Sequence, residues 1–287
     1  MSHIKGGLTI IKEMVNHLAP SEKKIAEYIL NNPEESILLT ALMLGEKSNT
    51  SSAAVVRLCK SLGFSGFQEL KIRVAGDLQE EDVRGYRDID PEEDVKTIID
   101  KVTSNTIQTL RETVDILNEK NIQEAVALLS NAQSVVFIGV GASYLAAKDA
   151  EQKFIRINKN AHAVSDVHMA ATAIANKGPK DVVVGISFSG NTKEIAKLLE
   201  LAKQNKIKTI SITKYGNALI TPFTDIPLHT SAAKEATFRS GATSSRIAQL
   251  HVIDILLMCL ASQEYKQTIT YLDETRKAVS FLKGETT

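Results

Sequence analysis

The sequence predicts two domains of different class: an all-α N-terminal domain and an α/β C-terminal domain in which a parallel sheet is flanked by helices. Three observations predict this. Residues 8 to 78 carry closely spaced helical repeats and no strand pattern. From Ser134 onward, apolar β-like runs alternate with helical ones, the rhythm of a parallel sheet covered on both faces. Between them, Glu80, Glu81, Asp82, Asp88, Asp90, Glu92, Glu93 and Asp94 outnumber Arg84 and Arg87, and Gly85 and Pro91 punctuate the stretch, as in a linker. The expected boundaries are 1–78, a linker over 79–93, and 94–287.

The elements follow in order. Leu8, Ile11, Val15 and Leu18 recur at helical spacing. Pro20-Ser21 opens a second helix with Ile25, Ile29 and Leu30 on its apolar side, and Asn32-Pro33 closes it. Residues 37 to 45 form a third element. Ser51 to Leu62 is the next helix, stopped by Gly63. Ser65-Gly66-Phe67-Gln68 has the form of a capping box and opens a helix through Leu78. Helical patterns then cover Asp94 to Asn118 and Ile122 to Leu129. Strands are expected at Ser134–Ile138, Ala161–Val164, Asp181–Ile186, Lys208–Ile212 and Ile226–Leu228. Helices are expected at Tyr144–Asn158, Val167–Ala175, Thr192–Asn205, Ser244–Ala261 and Tyr265–Leu282.

Bulk properties limit the function classes. The 287 residues suffice for two domains, and 43% hydrophobic residues for two cores. Lys+Arg and Asp+Glu are both 34, so any basic surface must be local. Cys59 and Cys259 lie in apolar helical stretches and read as buried free thiols of a reducing compartment. Glu13 and His17 interrupt the N-terminal apolar stretch, so no signal peptide is expected. The run from Val252 to Ala261 contains Asp254 and falls short of the roughly 20 residues a bilayer needs. The expectation is a cytoplasmic chain with no membrane partner.

In the first domain, Val55, Leu58 and Leu62 space as a buried stripe. Ser52, Ala53, Val56, Arg57 and Lys60 are left on the open face. Small residues at a helix start, followed by Arg and Lys, suit a helix that lies in the DNA major groove. From Lys47 to Arg73 the bases Lys47, Arg57, Lys60, Lys71 and Arg73 face one acid, Glu69, which suits phosphate contacts. A protein-interaction domain with a solvated charged face fits the same pattern.

In the second domain, two turns each follow a strand and precede a helix: Gly139-Val140-Gly141-Ala142-Ser143 and Ser187-Phe188-Ser189-Gly190-Asn191-Thr192. Such turns gather free backbone N–H groups and the positive helix end, and the hydroxyls add donors for a phosphate monoester. A dinucleotide fingerprint would need Gly at position 144, where Tyr144 stands. Asn191 lies three residues before Glu194 and could equally cap its helix. The histidines His3, His17, His162, His168, His229 and His251 form no ligand-spaced pair, and no Ser-His-Asp order or HExxH pattern occurs. No catalytic residue, metal or cofactor is expected.

The segment from Ser51 to Lys71 resembles the signature of the RpiR family of bacterial transcription regulators, and the downstream turns resemble their SIS (sugar isomerase) domain. The resemblance implies a helix-turn-helix domain whose Ser51, Ser52, Ala53, Val56, Arg57, Lys60 and Lys71 meet DNA. It implies a SIS domain in which Ser143 meets the sugar, while Ser187, Ser189, Gly190, Asn191 and Thr192 cradle its phosphate. Glu235, in the segment from Lys234 to Arg246, is the implied partner of sugar hydroxyls, with Arg239 or Arg246 balancing phosphate charge. Ala54 departs from the threonine common in the family, which puts a groove contact there in doubt. The runs Val74–Leu78, Gly85–Ile89 and Glu235–Ser240 resemble regulators of amino-sugar use, whose effector is N-acetylmuramic acid 6-phosphate. The implied partners are a double-stranded DNA operator, a phosphorylated sugar and a second copy of the chain, in a dimer or tetramer. The alternatives are a sugar-phosphate isomerase or lyase with Glu235 as base, and a sensor acting through protein contacts.

Overall fold

The computed structural model describes residues 5–78, 89–231 and 243–284. It contains two compact units. Among the described residues, the first comprises 5–78, 89–116 and Ser231, and the second 117–230 and 243–284. Most of the expected linker, and Glu235, lie outside the described residues.

The first unit is helical: α1 Gly7–Met14, α2 Pro20–Asn31, α3 Pro33–Ser36, α4 Ala41–Lys47, α5 Ser52–Ser61, α6 Phe67–Asp77 and α7 Val95–Ile116. Ile11, Ile25, Ile29, Leu44, Val55, Leu58, Leu62, Leu70 and Val74 are buried in it. The start of α1 has no capping side chain of its own. The Asp77 carboxylate supplies the cap from the end of α6, accepting from the Gly6 and Leu8 amides at 2.7 Å each. Burial nevertheless pushes the Asp77 carboxyl above its usual range. A Cβ on Gly6 would lie 2.4 Å from the Asp115 carbonyl oxygen of α7. Thus α7, which sequence patterning groups with the second domain, belongs to the first unit. Pro33 starts a separate single turn, α3, after ending α2. The expected capping box is also displaced. Gly66 is the residue that precedes α6, and it is Glu69, not Gln68, that accepts from the Ser65 amide and hydroxyl at 2.8 and 2.7 Å.

The second unit opens with α8 Glu119–Asn131 and then alternates: β1 Ser134–Gly139, α9 Ala142–Arg156, β2 Ala161–Val164, α10 Val167–Ala175, β3 Asp181–Ile186, α11 Lys193–Gln204, β4 Lys208–Lys214 and β5 Ile226–Thr230. Helices α12 Thr243–Gln263 and α13 Tyr265–Leu282 complete it. The five strands pair in parallel, in the order β2-β1-β3-β4-β5. Side chains alternate across this sheet. Val135, Phe137, Val182, Val184, Ile210 and Ile212 meet Val126, Phe154, Ile253 and Leu256 from α8, α9 and α12 on one face. Val136, Ile138 and Val183 meet Ile174, Ile195 and Leu199 from α10 and α11 on the other. Helix α12 is long and apolar enough to cross a membrane by length and composition, yet Val252, Ile253, Leu256 and Leu260 are buried on the sheet. Cys59 is buried, whereas Cys259 is half-buried.

Candidate functional site

The first candidate surface is built by α4, a short turn and α5. Thr40 caps α4 by accepting from the Met43 amide at 3.2 Å, and Ser51 caps α5 by accepting from the Ala54 amide at 3.3 Å. Between them Asn49 takes a left-handed φ of 52°. A Cβ on Gly45 would lie 2.8 Å from the Ser51 carbonyl carbon, so the two helices approach as closely as a glycine allows.

On α5, Val55, Leu58 and Leu62 are fully buried. Ser51, Ser52, Ala53, Val56, Arg57 and Lys60 are exposed along the other side. Ala54 is 1% exposed. A hydroxyl at that position would face the core, so the concern over a lost groove contact there does not hold.

The bases of this surface are mostly engaged. Lys47 pairs with Glu35 at 2.8 Å, which lies with Tyr28. Arg73 pairs with Glu69 at 3.0 Å and donates to the Lys5 carbonyl. Arg57 stands 4.0 Å from the buried Glu22 of α2. Lys71 is half-buried, donates to the Leu39 carbonyl at 3.0 Å and lies over the Phe67 ring. Lys60 is exposed, and among the described residues it has no such partner.

The second candidate site lies where the strand order reverses, between β1 and β3, at the carboxyl ends of the strands. Both Gly/Ser turns fall there. Gly141 precedes α9 with φ 58°, and nothing lies within 4 Å of where its Cβ would be, which leaves open space for a ligand to approach the backbone. Gly190 has φ 66°, and a Cβ there would be 2.5 Å from Ala218 Cβ. Neither α9 nor α11 has a side-chain cap at its start, whereas α8 and α10 are capped by Asn118 and Asp166. The leading amides of α9 and α11 therefore remain as donors beside the crevice.

The hydroxyls divide the work. Ser187 is buried, and its Oγ lies 2.9 Å from Thr192 Oγ1, so the pair shares one proton and keeps one to donate. The exposed Ser189 accepts from the Asn191 amide at 3.2 Å. Asn191 caps nothing: its Oδ1 accepts from the Leu219 amide at 3.1 Å and tethers the turn to the loop after β4. Thr192 is the residue preceding α11. Ser143, in the first turn of α9, accepts from Gln249 Nε2 of α12 at 3.2 Å. Sequence reasoning missed Gln249, because nothing local distinguishes it from the other polar residues of α12, such as His251 and Asp254. Arg246 is half-buried; Arg239 lies outside the described residues. On the edge strand β5, His229 meets Tyr215 edge-on with ring centroids 4.9 Å apart, and burial pulls its pKa below the usual histidine value. Among the described residues, no group of three His, Cys, Asp or Glu could hold a metal ion.

This arrangement gathers hydrogen-bond donors and the positive ends of two helices, which suits a phosphoryl group. Comparison with known proteins agrees with both halves. Residues 5–81 match the model of the helix-turn-helix domain, rpiR family, and residues 128–259 that of the SIS domain. An uncharacterized HTH-type transcriptional regulator of Bacillus subtilis strain 168, YbbH, is 47% identical over 97% of this chain and 98% of its own length. The HTH-type transcriptional regulator HexR of Pseudomonas aeruginosa is 33% identical over 88% of each chain. The structure of the Vibrio vulnificus NanR protein complexed with ManNAc-6P superposes with a TM-score of 0.61 at 25% identity, covering 96% of this chain and 99% of that one.

Proposed function

The chain belongs to the rpiR family of helix-turn-helix transcriptional regulators and carries a sugar-binding SIS domain, and from that premise we propose that α5 reads a DNA operator under the control of a phosphorylated amino sugar bound between β1 and β3. The observation that carries the effector half is the meeting of Ser143, the Ser187–Thr192 pair and the uncapped starts of α9 and α11 at one crevice. The exposed small residues and Arg57 of α5 support the operator half. The ManNAc-6P on the NanR relative supports an N-acetylated hexosamine 6-phosphate. N-acetylmuramic acid 6-phosphate is the effector we favour. The protein acts in the cytoplasm, as a dimer or larger assembly whose two-fold axis matches a palindromic operator. Ser189, Gly190, Asn191, Thr192 and Glu235 complete the proposed ligand set.

The protein works without catalysing a reaction. Isomerisation or lysis of a sugar phosphate needs a positioned base; Glu235 is the candidate, and we read it as a partner of sugar hydroxyls, while the described hydroxyls and amides of this crevice supply donors. Incubation with hexose 6-phosphates should give no turnover above trace. The direct test is a thermal-shift series with N-acetylmuramic acid 6-phosphate and ManNAc-6P. A ligand at 100 times its Kd stabilises by about 2.7 kcal/mol. The double variant Ser187→Ala with Ser189→Ala should lose that shift and the effector response, yet bind operator DNA as the parent does. A double variant that still responds places the phosphate elsewhere.

A further inference from the structure

We infer that Gln249 is a positioning residue that fixes Ser143 as a proton donor and thereby sets the crevice to take an acceptor oxygen. The inference rests on the phosphosugar reading above and deepens it. The inward stripe of α12 is apolar at Ala248, Val252, Ile253, Leu256, Leu257 and Leu260. Gln249 lies in that stripe at 1% exposure. A primary amide buried in apolar surroundings is costly unless it is hydrogen-bonded. Its Nε2 donates at 3.2 Å to Ser143 Oγ, 106 positions away in sequence. Structural economy alone would place an apolar residue here, as at the inward positions from Val252 to Leu260.

The direction of the bond gives Gln249 its function. A hydroxyl that accepts from an amide N–H keeps its own proton for a different acceptor. Accepting also polarises the O–H and makes it a stronger donor. Ser143 stands in the first turn of α9, beside leading amides with no side-chain cap. Its proton therefore joins a donor-rich wall at a positive helix end, which selects a phosphoryl or hydroxyl oxygen and disfavours a donor group. A glutamate at 249 would reverse the bond and place a negative charge beside the anion. One turn earlier on α12, Ser244 and Ser245 are also buried, so the helix is polar on its inner face only in its first two turns.

Two measurements on the full chain test this. Ser143→Cys places a thiol at the acceptor position, and its alkylation by iodoacetamide is followed across pH by mass spectrometry of the peptide that contains the substituted position. Cys59 is buried, with its pKa pushed up to about 11, and does not compete. A donated N–H stabilises the thiolate, so adding Gln249→Leu should move the inflection upward by about one pH unit. Superimposable profiles, or a shift downward, overturn the inference. The second measurement is calorimetric binding of N-acetylmuramic acid 6-phosphate and ManNAc-6P. Gln249→Leu should weaken binding about tenfold with an unchanged or raised Tm, and Gln249→Glu should weaken it further. Gln249→Met serves if the leucine variant fails to fold. Equal affinity in the parent and the Gln249→Leu variant overturns the role in binding. A thiol profile that shifts in a chain whose parent binds neither sugar phosphate keeps the Gln249–Ser143 bond but overturns the effector reading, and with it the ligand role given to Ser143.

Discussion

Arg57 is the side chain that we propose reads the operator. It is exposed on α5 between Val56 and the buried Leu58, and its guanidinium stands 4.0 Å from Glu22. A planar fork held from one side can present its remaining N–H groups to a guanine edge. Arg57→Ala should weaken specific operator binding by about 1–3 kcal/mol while leaving non-specific binding little changed. Equal operator affinity in parent and variant removes Arg57 from base reading.

His229 carries a pH dependence that can be worked out from its surroundings. Burial is the main cause of its lowered pKa, and the folded protein therefore holds the imidazole neutral below the ordinary value of 6.5. The unfolded chain takes up the proton first as pH falls. Stability from this group is complete above the unfolded value and is lost as pH drops through the window beneath it. The Tm should fall on acidification from about pH 7.5 to about pH 5.5, and His229→Gln should flatten that dependence. Parallel curves for parent and variant would show that other groups set the acid limb.

At the scale of the element, α5 and α6 show how far a count of charges can be read as a surface. The bases between Lys47 and Arg73 promise a phosphate-binding strip, yet Lys47, Arg73 and Lys71 have partners within the unit. Lys60 is the free cation of the strip among the described residues. Lys71 holds α6 to the Leu39 carbonyl and lies over Phe67, so part of its charge is already spent. Lys60→Ala should lower the slope of log affinity against log salt by about one. Lys71→Ala should show less of that effect and instead lower the Tm, because it strips a partner from the Leu39 carbonyl. The reverse pattern in salt titrations would restore Lys71 as the main phosphate contact.

Elements were legible in the sequence where one local rule governs them. The strands at Ala161–Val164 and Asp181–Ile186 and the helices at Val167–Ala175 and Tyr265–Leu282 have the bounds their apolar patterns indicate. β4 and β5 extend beyond the apolar runs, to Lys214 and Thr230, because parallel neighbours supply ladder partners to polar residues too. The displaced cap at Ser65 failed for a different reason. Glu69 reaches the Ser65 amide from one residue further along than the motif requires. The placement of Ser187 and Ser143 at the strand ends was legible because each lies in a Gly/Ser turn between a strand and a helix. Gln249 was not, since its partner lies 106 positions away. Asn191 reads equally as a cap or a ligand contact in sequence, because the amide its oxygen accepts from, that of Leu219, lies 28 positions away.

For the whole molecule, operator and effector bind to one chain, and linkage constrains them jointly. If a phosphorylated amino sugar changes operator affinity by some factor, the operator must change sugar affinity by the same factor. Couplings between such sites typically run to about 1–3 kcal/mol, roughly 5- to 150-fold. Calorimetric titration of N-acetylmuramic acid 6-phosphate into the free protein and into its operator complex should therefore give Kd values differing by the factor that the sugar imposes on DNA binding. The sign of that difference separates the two modes of regulation. Weaker sugar binding on the operator means that the effector releases DNA, and tighter binding means that it recruits DNA. Ser187→Ala with Ser189→Ala should erase the sugar titration in both states while leaving the operator titration intact. Operator affinity that changes with the sugar while sugar affinity is blind to the operator would break reciprocity, and the sugar would then be acting somewhere other than on this chain.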